Sequence, residues 1–123
     1  MVFLYRLLRN DEHPEMGLVA KNIWSSVSVE QHVTYGSHGI ASKYISCCKS
    51  EQAVRKLASM SRTHPRRIAM FYVNERDINI IDLTDPFIRD CFISNMTGRH
   101  YAASFEEVLI ENNIPKECFV GYI

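Results

Sequence analysis

Residues 2–8 set an arginine in the middle of otherwise unbroken apolar sequence. With the period of two of an extended strand, Arg6 shares a face with Val2, Leu4 and Leu8, so a buried strand here carries a guanidinium into the core. A buried cation needs an anionic or carbonyl partner, or a ligand, to offset its lost hydration. Two other strand-like runs carry similar intrusions, Ser46 within residues 43–48 and Glu107 near the C-terminus. Arg6 is equally suited to hold a pyrophosphate or carboxylate and to brace a turn inside the fold, because its donors form a rigid fork. Ser46 reads either as an ordinary satisfied strand serine or as a hydroxyl that orients a ligand or a carboxylate.

Around these three residues the chain supplies one domain, residues 1–123, and no room for a second. Lys and Arg total 14 against 14 Asp and Glu, and the pI is near 7.0. That balance lacks the footprint of sequence-independent nucleic-acid or anionic-membrane binding, so nucleic acid enters as a possible substrate and a membrane partner is not expected. The N-terminal apolar run is cut by Arg6 and Arg9, too short for a signal-peptide core or a membrane span, and the expected location is cytoplasmic. Delivery into a host cell stays open. Cys47, Cys48, Cys91 and Cys118 form no CxxC or Cys/His spacing, which argues for reduced, mostly buried small apolar residues and no metal.

Strands and short helices alternate, an α+β order. Ser28-Val29-Glu30-Gln31 has capping-box form and starts a short helix carrying His32 and Val33 that stops near Gly36. Residues 36–39 are turn-like, and 43–48 form a strand. Ser50 is the N-cap of a helix whose Ala53, Val54, Leu57 and Ala58 make one apolar stripe. A basic loop, 62–67, leads to strands at 68–73 and 78–83, joined as a hairpin through residues 74–77. Asp85-Pro86 opens a helix over 87–93, and Gly98 marks a following loop. Residues 103–110 fit a strand, with Glu107 facing the same way as Phe105 and Leu109 and Glu106 facing away. They fit a helix equally well, since Ser104-Phe105-Glu106-Glu107 is also a capping box. A turn at 111–113, Pro115 and a last strand near 118–123 complete the chain.

The polar intrusions and their surroundings resemble the ADP-ribosyltransferase family of the cholera-toxin and heat-labile-enterotoxin type. Phe3-Leu4-Tyr5-Arg6, then Asp11-Glu12 and Gly17-Leu18, look like that family's Leu-Tyr-Arg strand with its acidic and glycine-containing loop. Glu30-Gln31-His32-Val33 is similar to the family's histidine segment, and Tyr44-Ile45-Ser46-Cys47-Cys48 resembles its Tyr-Val-Ser-Thr-Ser strand, likewise followed by an Ala-rich helix. Phe105-Glu106-Glu107-Val108, Ile114-Pro115 and Val120-Gly121-Tyr122 resemble its Glu-Val, Ile-Pro and Gly-aromatic ending. The resemblance spans nearly the whole chain and favours the strand over the helix at 103–110.

The resemblance implies a split β-sandwich core with short helices, and mono-ADP-ribosyl transfer from NAD, without a metal, to a protein or nucleic-acid acceptor. Glu107 would then stabilise the ribosyl cation as nicotinamide leaves, with Ser46 bridging it to the nicotinamide side. Arg6 would hold the NAD phosphates or brace the pocket, His32 would contact the ribose, and Tyr5 and Tyr44 would complete the NAD-binding set. Phe105 and Glu106 fall on the acceptor side. Phe105 stands where arginine-modifying members carry a second Glu, so an acceptor other than arginine is expected; its ring would stack on a base or aromatic acceptor, or fill space. Cys47-Cys48 replace a Thr-Ser pair, removing two hydroxyls. Segments 12–24 and 62–67 are candidates to grip an acceptor. Competing expectations are a catalytically silent NAD- or protein-binding domain of the same fold, an NAD glycohydrolase using water, and an RNA 2′-phosphotransferase relying on Arg62, Arg66 and Arg67.

Overall fold

Arg6 does enter the core. In the computed structural model, which describes residues 1–35, 40–62 and 66–123, strand β1 (Val2–Leu7) buries Leu4 and Arg6 on one face. Along the chain follow β2 (Leu18–Val19), α1 (Val29–Tyr35), β3 (Tyr44–Cys48), α2 (Glu51–Met60), β4 (Ile68–Val73) and β5 (Ile80–Asp82). Then come α3 (Pro86–Phe92), α4 (Met96–Ser104), β6 (Glu107–Glu111), β7 (Asn113–Ile114) and β8 (Phe119–Tyr122). This is the α+β class expected from the sequence.

Six strands form an antiparallel sheet in the order β5-β6-β3-β1-β4-β8, and β2 pairs with β7 in a separate two-stranded sheet. β1 is paired along its length with β4, from Val2 opposite Val73 to Leu7 opposite Ile68, and β3 is paired along its length with β6. Between β1 and β3 the register holds only at Tyr5 opposite Cys48. The large sheet therefore splits there into two halves, β5-β6-β3 and β1-β4-β8. The opening between them is where the polar side chains gather.

The helices form where local chemistry places them. Ser28 Oγ accepts from the Gln31 N–H at 3.1 Å and Gln31 Oε1 accepts from the Ser28 N–H at 3.0 Å, the reciprocal capping box that starts α1. Ser50 Oγ caps α2 by accepting from the Ala53 N–H at 3.1 Å, and Ala53, Val54 and Ala58 pack on Cys48 and Ile68 of the sheet. Val54 is fully buried, worth roughly 1.5–3 kcal/mol over exposure. Asp85 caps α3 at the Phe87 N–H. On one side of the sheet a core runs from Leu4, Phe71 and Val73 through Cys47 and Ile110 to Leu18 and Ile114 of the small sheet. On the other, Val29 and Val33 of α1 and Ala102 of α4 cover Leu109.

Several expectations need correction. Strands 68–73 and 78–83 do not form a hairpin. β4 has β1 on one side and β8 on the other, so the chain after β4 crosses the sheet and β5 joins the far edge beside β6. Gly98 lies inside α4, not in a loop, because α4 packs so close to α1 that a Cβ there would meet Thr34 Oγ1 at 2.8 Å and Ile93 Cγ2 at 2.9 Å. Residues 103–110 are neither all strand nor all helix. α4 runs through Ser104, Phe105 ends it, Glu106 turns the chain with φ 48°, and the strand begins at Glu107. The cysteines are free, yet only Cys47 and Cys48 are buried. Cys118 is half-buried and Cys91 is exposed on α3, a helix that buries none of its residues. The turn expected at 36–39 lies outside the described residues, as do positions 63–65 of the basic loop.

Candidate active site

Arg6 bridges the split between β1 and β3. Its Nη1 donates to the Ser46 carbonyl at 2.6 Å, while Nε and Nη2 donate to both carboxylate oxygens of Glu12 at 3.1–3.3 Å. Glu12 is buried too and accepts the Arg9 N–H at 2.8 Å, so the loop after β1 folds back over the strand it leaves. Arg67 fastens the same loop from β4's side by donating to the carbonyls of Arg9 at 2.8 Å and Glu12 at 3.0 Å. Of the two roles open to Arg6, bracing the pocket is the one its contacts make. Carboxylate and carbonyl already occupy its fork.

His32 of α1 faces β3 across a short bridge of hydroxyls. Its Nε2 lies 2.7 Å from Ser46 Oγ and its Nδ1 2.6 Å from Ser42 Oγ. The Tyr44 ring meets the imidazole edge-on at 5.8 Å. Burial, with the Arg6 charge nearby, lowers the His32 pKa to about 4, so the ring is neutral at physiological pH. α1 is held in place by Glu30, one of whose oxygens accepts from the N–H and hydroxyl of Ser94 and from the N–H and side-chain amide of Asn95.

Glu107, at the start of β6, sits opposite Cys48 and is buried. Desolvation pushes its pKa up to about 7, against the pull of the neighbouring Ser46 hydroxyl and the charge of Arg6. Ser46 thus contacts His32 directly and lines the same cleft as Glu107. Burial drives Cys47 up to about 12 and Cys48 upward as well, so both remain protonated.

A cavity of about 250 Å³ opens over His32, Ser42 and Tyr44 and is bordered by the cations Arg9 and Lys21. A second, of about 790 Å³, opens over Tyr5, Met60 and Phe105, with Arg62 at its edge. Both are lined by Arg6, Arg9, Ser46, Leu57, Tyr101 and Glu107, so they are two arms of one cleft meeting at the buried carboxylate. Among the described residues no group of three His, Cys, Asp or Glu side chains is placed to hold a metal.

Of the residues singled out from sequence, Arg6, His32, Tyr44, Ser46 and Glu107 come together in the first arm, while Tyr5 and Phe105 line the second. Phe105 is not on the strand with Glu107. As the residue ending α4 it packs against Tyr101 at 4.7 Å, with the Lys56 ammonium 5.1 Å over its ring. Glu106 lies outside the cleft. Its positive φ turns it toward α2, where its carboxylate accepts from Ser50 Oγ at 2.8 Å. Arg66 and Arg67 are also committed elsewhere, Arg66 to the Ser61 carbonyl and Arg67 to the loop after β1. Sequence reasoning missed the roles of Glu12, Ser42, Arg9, Lys21 and Tyr101. A buried Arg6 was the available signal for Glu12, since such a cation requires a partner. Nothing local marked Ser42.

The fold and cleft define a class: a split antiparallel α+β domain with a buried glutamate in the cleft where its sheet opens. No protein-family model matches the chain, and no curated protein matches it. The solved structure titled EcPltA is similar in fold, with a TM-score of 0.67 over 96% of this chain and 72% of that one, at 16% sequence identity. No helix among the described residues is long and apolar enough to cross a membrane.

Proposed function

We propose that this protein is a mono-ADP-ribosyltransferase that cleaves NAD at the nicotinamide–ribose bond and passes ADP-ribose to a macromolecular acceptor other than arginine. The observation that carries this reading is Glu107, a buried carboxylate at the junction of both arms of the cleft, which Ser46 also lines. As the C1′–N bond breaks, its electron pair leaves with nicotinamide and positive charge builds on the ribose. A carboxylate fixed in a largely dry pocket stabilises that charge most at the transition state. A hydrogen bond from a ribose hydroxyl to the carboxylate would strengthen as the ring flattens. The acceptor's lone pair then closes on C1′ and its proton passes to Glu107 or to water.

The first arm suits NAD. Lys21 offers a cation to the pyrophosphate, which Arg6 leaves to it, with Arg9, paired through its Nε to Asp11 at 3.2 Å, alongside, and His32 and Tyr44 would border the ribose. The second arm suits the acceptor. It presents aromatic and apolar walls and no second carboxylate to orient a guanidinium, because Phe105 is packed on Tyr101 and Glu106 is turned to Ser50. Trp24, 90% exposed, stands on a loop whose Asn22 N–H bonds the Ser42 carbonyl at 3.1 Å, near the mouth of the first arm, and would contact a protein or nucleic-acid acceptor in the cytoplasm.

The test is nicotinamide release from NAD by the purified protein and its Glu107→Gln variant, with and without cell lysate. Lysate-stimulated release that the variant lacks is the expected result. Release indifferent to lysate would make water the acceptor and the protein a glycohydrolase. No release in any lysate would leave a silent binding domain.

A further inference from the structure

Ser42 is 2% exposed, carries no charge and lies outside any strand or helix, yet its hydroxyl makes the shortest contact to the His32 ring, 2.6 Å to Nδ1. That hydroxyl also accepts from the Tyr44 N–H at 3.2 Å, which fixes its lone pairs toward the backbone and leaves its single proton to be given away. Two recipients are in reach, His32 Nδ1 at 2.6 Å and the Tyr44 carbonyl at 3.5 Å. The first is a good hydrogen bond and the second is at the limit of one.

We propose that Ser42 is a positioning residue whose hydroxyl donates to Nδ1 of His32, fixing the ring as the Nε2–H tautomer and thereby aiming the Ser46 hydroxyl at the Glu107 carboxylate. A neutral imidazole has one donor and one acceptor nitrogen. Once Nδ1 accepts from Ser42, Nε2 carries the hydrogen and donates to Ser46 Oγ, 2.7 Å away. Ser46, with an incoming donor on its oxygen, is left to turn its own hydrogen toward Glu107, which lies on the same face of the sheet and lines the same cleft, where it would favour the ionised carboxylate. The chain Ser42, His32, Ser46, Glu107 then points one way, toward the negative charge. The opposite tautomer would turn the Ser46 hydrogen to Nε2 and leave the carboxylate without it.

This inference rests on the proposed function only for its catalytic consequence; the tautomer itself is read without NAD. The charged and titratable groups around the chain are Arg6 from β1, Arg9 and Lys21 at the cleft edge, Tyr44 from β3 and Tyr101 from α4. All stay in place in the test. The imidazole nitrogens of ¹⁵N-labelled protein would be followed by long-range proton–nitrogen correlation at pH 8.5 in the native chain, Ser42→Ala and Ser42→Thr, with amide spectra confirming the fold. Expected are Nε2–H in the native chain, a mixture in Ser42→Ala and restoration in Ser42→Thr. Native protein in the Nδ1–H form, or folded Ser42→Ala with unchanged nitrogen shifts, would overturn the proposal whatever happens to NAD. In nicotinamide release, Ser42→Ala should lose roughly tenfold in kcat with KM within about twofold, and its pH profile should move to higher pH. Loss confined to KM would also overturn it. A native protein that releases no nicotinamide would refute the proposed function while the nitrogen spectra still decide the role of Ser42.

Discussion

Arg6 and Glu12 form a two-pronged ion pair, 3.1 Å at its closest, with both side chains more than nine-tenths buried and six residues apart in sequence. The pair connects the first strand to the loop it runs into, and the remaining arm of the guanidinium reaches across the split sheet to the Ser46 carbonyl. One guanidinium thus ties the first strand to its own loop and to the serine that bonds His32.

Removing one partner of this pair should be far more damaging than removing both. Glu12→Gln or Arg6→Met alone leaves a buried group uncompensated and is expected to cost about 3–5 kcal/mol. The double replacement Arg6→Met with Glu12→Leu should recover much of that loss, though not the cleft geometry. Urea denaturation of the three variants checks this; equal losses in single and double variants would contradict it.

Stability should respond to pH through two opposed groups. The native pKa of Glu107 is about 7 against an ordinary 4.5, so between those values the folded state holds more protons and stability falls as pH rises. The native pKa of His32 is about 4 against 6.5, so there the unfolded state holds more protons and stability falls as pH drops. At 1.36 kcal/mol per unit each amounts to about 3 kcal/mol, and in the shared window of pH 4.5–6.5 their slopes cancel. Glu107→Gln should unmask the histidine and lose stability from pH 6.5 downward, while His32→Gln should lose stability from pH 4.5 upward. Denaturation midpoints across pH 4.5–8 for the three proteins decide it.

Nicotinamide release should rise with pH as Glu107 ionises. With a pKa of about 7, about half the protein is competent at neutral pH, and the rate should level off above about pH 8 as one ionisation. A flat profile between pH 6 and 8 would remove the ionised carboxylate from the rate-limiting step.

Gly98→Ala should destabilise by about 1–3 kcal/mol, the usual cost of overpacking, because the added carbon would lie within 3 Å of Thr34 and Ile93. The same change in an exposed helix would stabilise it. Thermal unfolding checks the sign. Since the contact is with α1, the helix that carries His32, slower nicotinamide release should accompany the loss.

Much of the local structure was legible along the chain. Ser28 with Gln31, Ser50, and Asp85 with Pro86 each placed a helix start, since capping involves atoms within four residues of one another. Alternation through residues 2–8 put Arg6 on the buried face for a similar reason: strand periodicity is a property of consecutive residues. Glu107 was placed on a strand by resemblance, where periodicity left helix and strand tied, and the structure starts that strand only at Glu107 itself.

What escaped the sequence depends on contacts between distant segments. Whether β4 turns back on β5 or gives its edges to β1 and β8 is decided by which neighbours bury its two edges, and residues 74–77 carry no record of that choice. Gly98 looked like a loop because the crowding that requires it comes from Thr34, more than sixty residues away. Phe105 and Glu106 fall in the turn between α4 and β6 and not on the strand, because α4 runs on to Ser104. The sequence alone determined that a guanidinium would be buried on the first strand and that a serine would sit within a strand-like run. The tertiary structure decided that Glu12 and Ser46 occupy the guanidinium, that Ser42 reaches His32, and that the carboxylate lies where both arms of the cleft meet, since desolvation and hydrogen-bond geometry exist only once the strands are assembled.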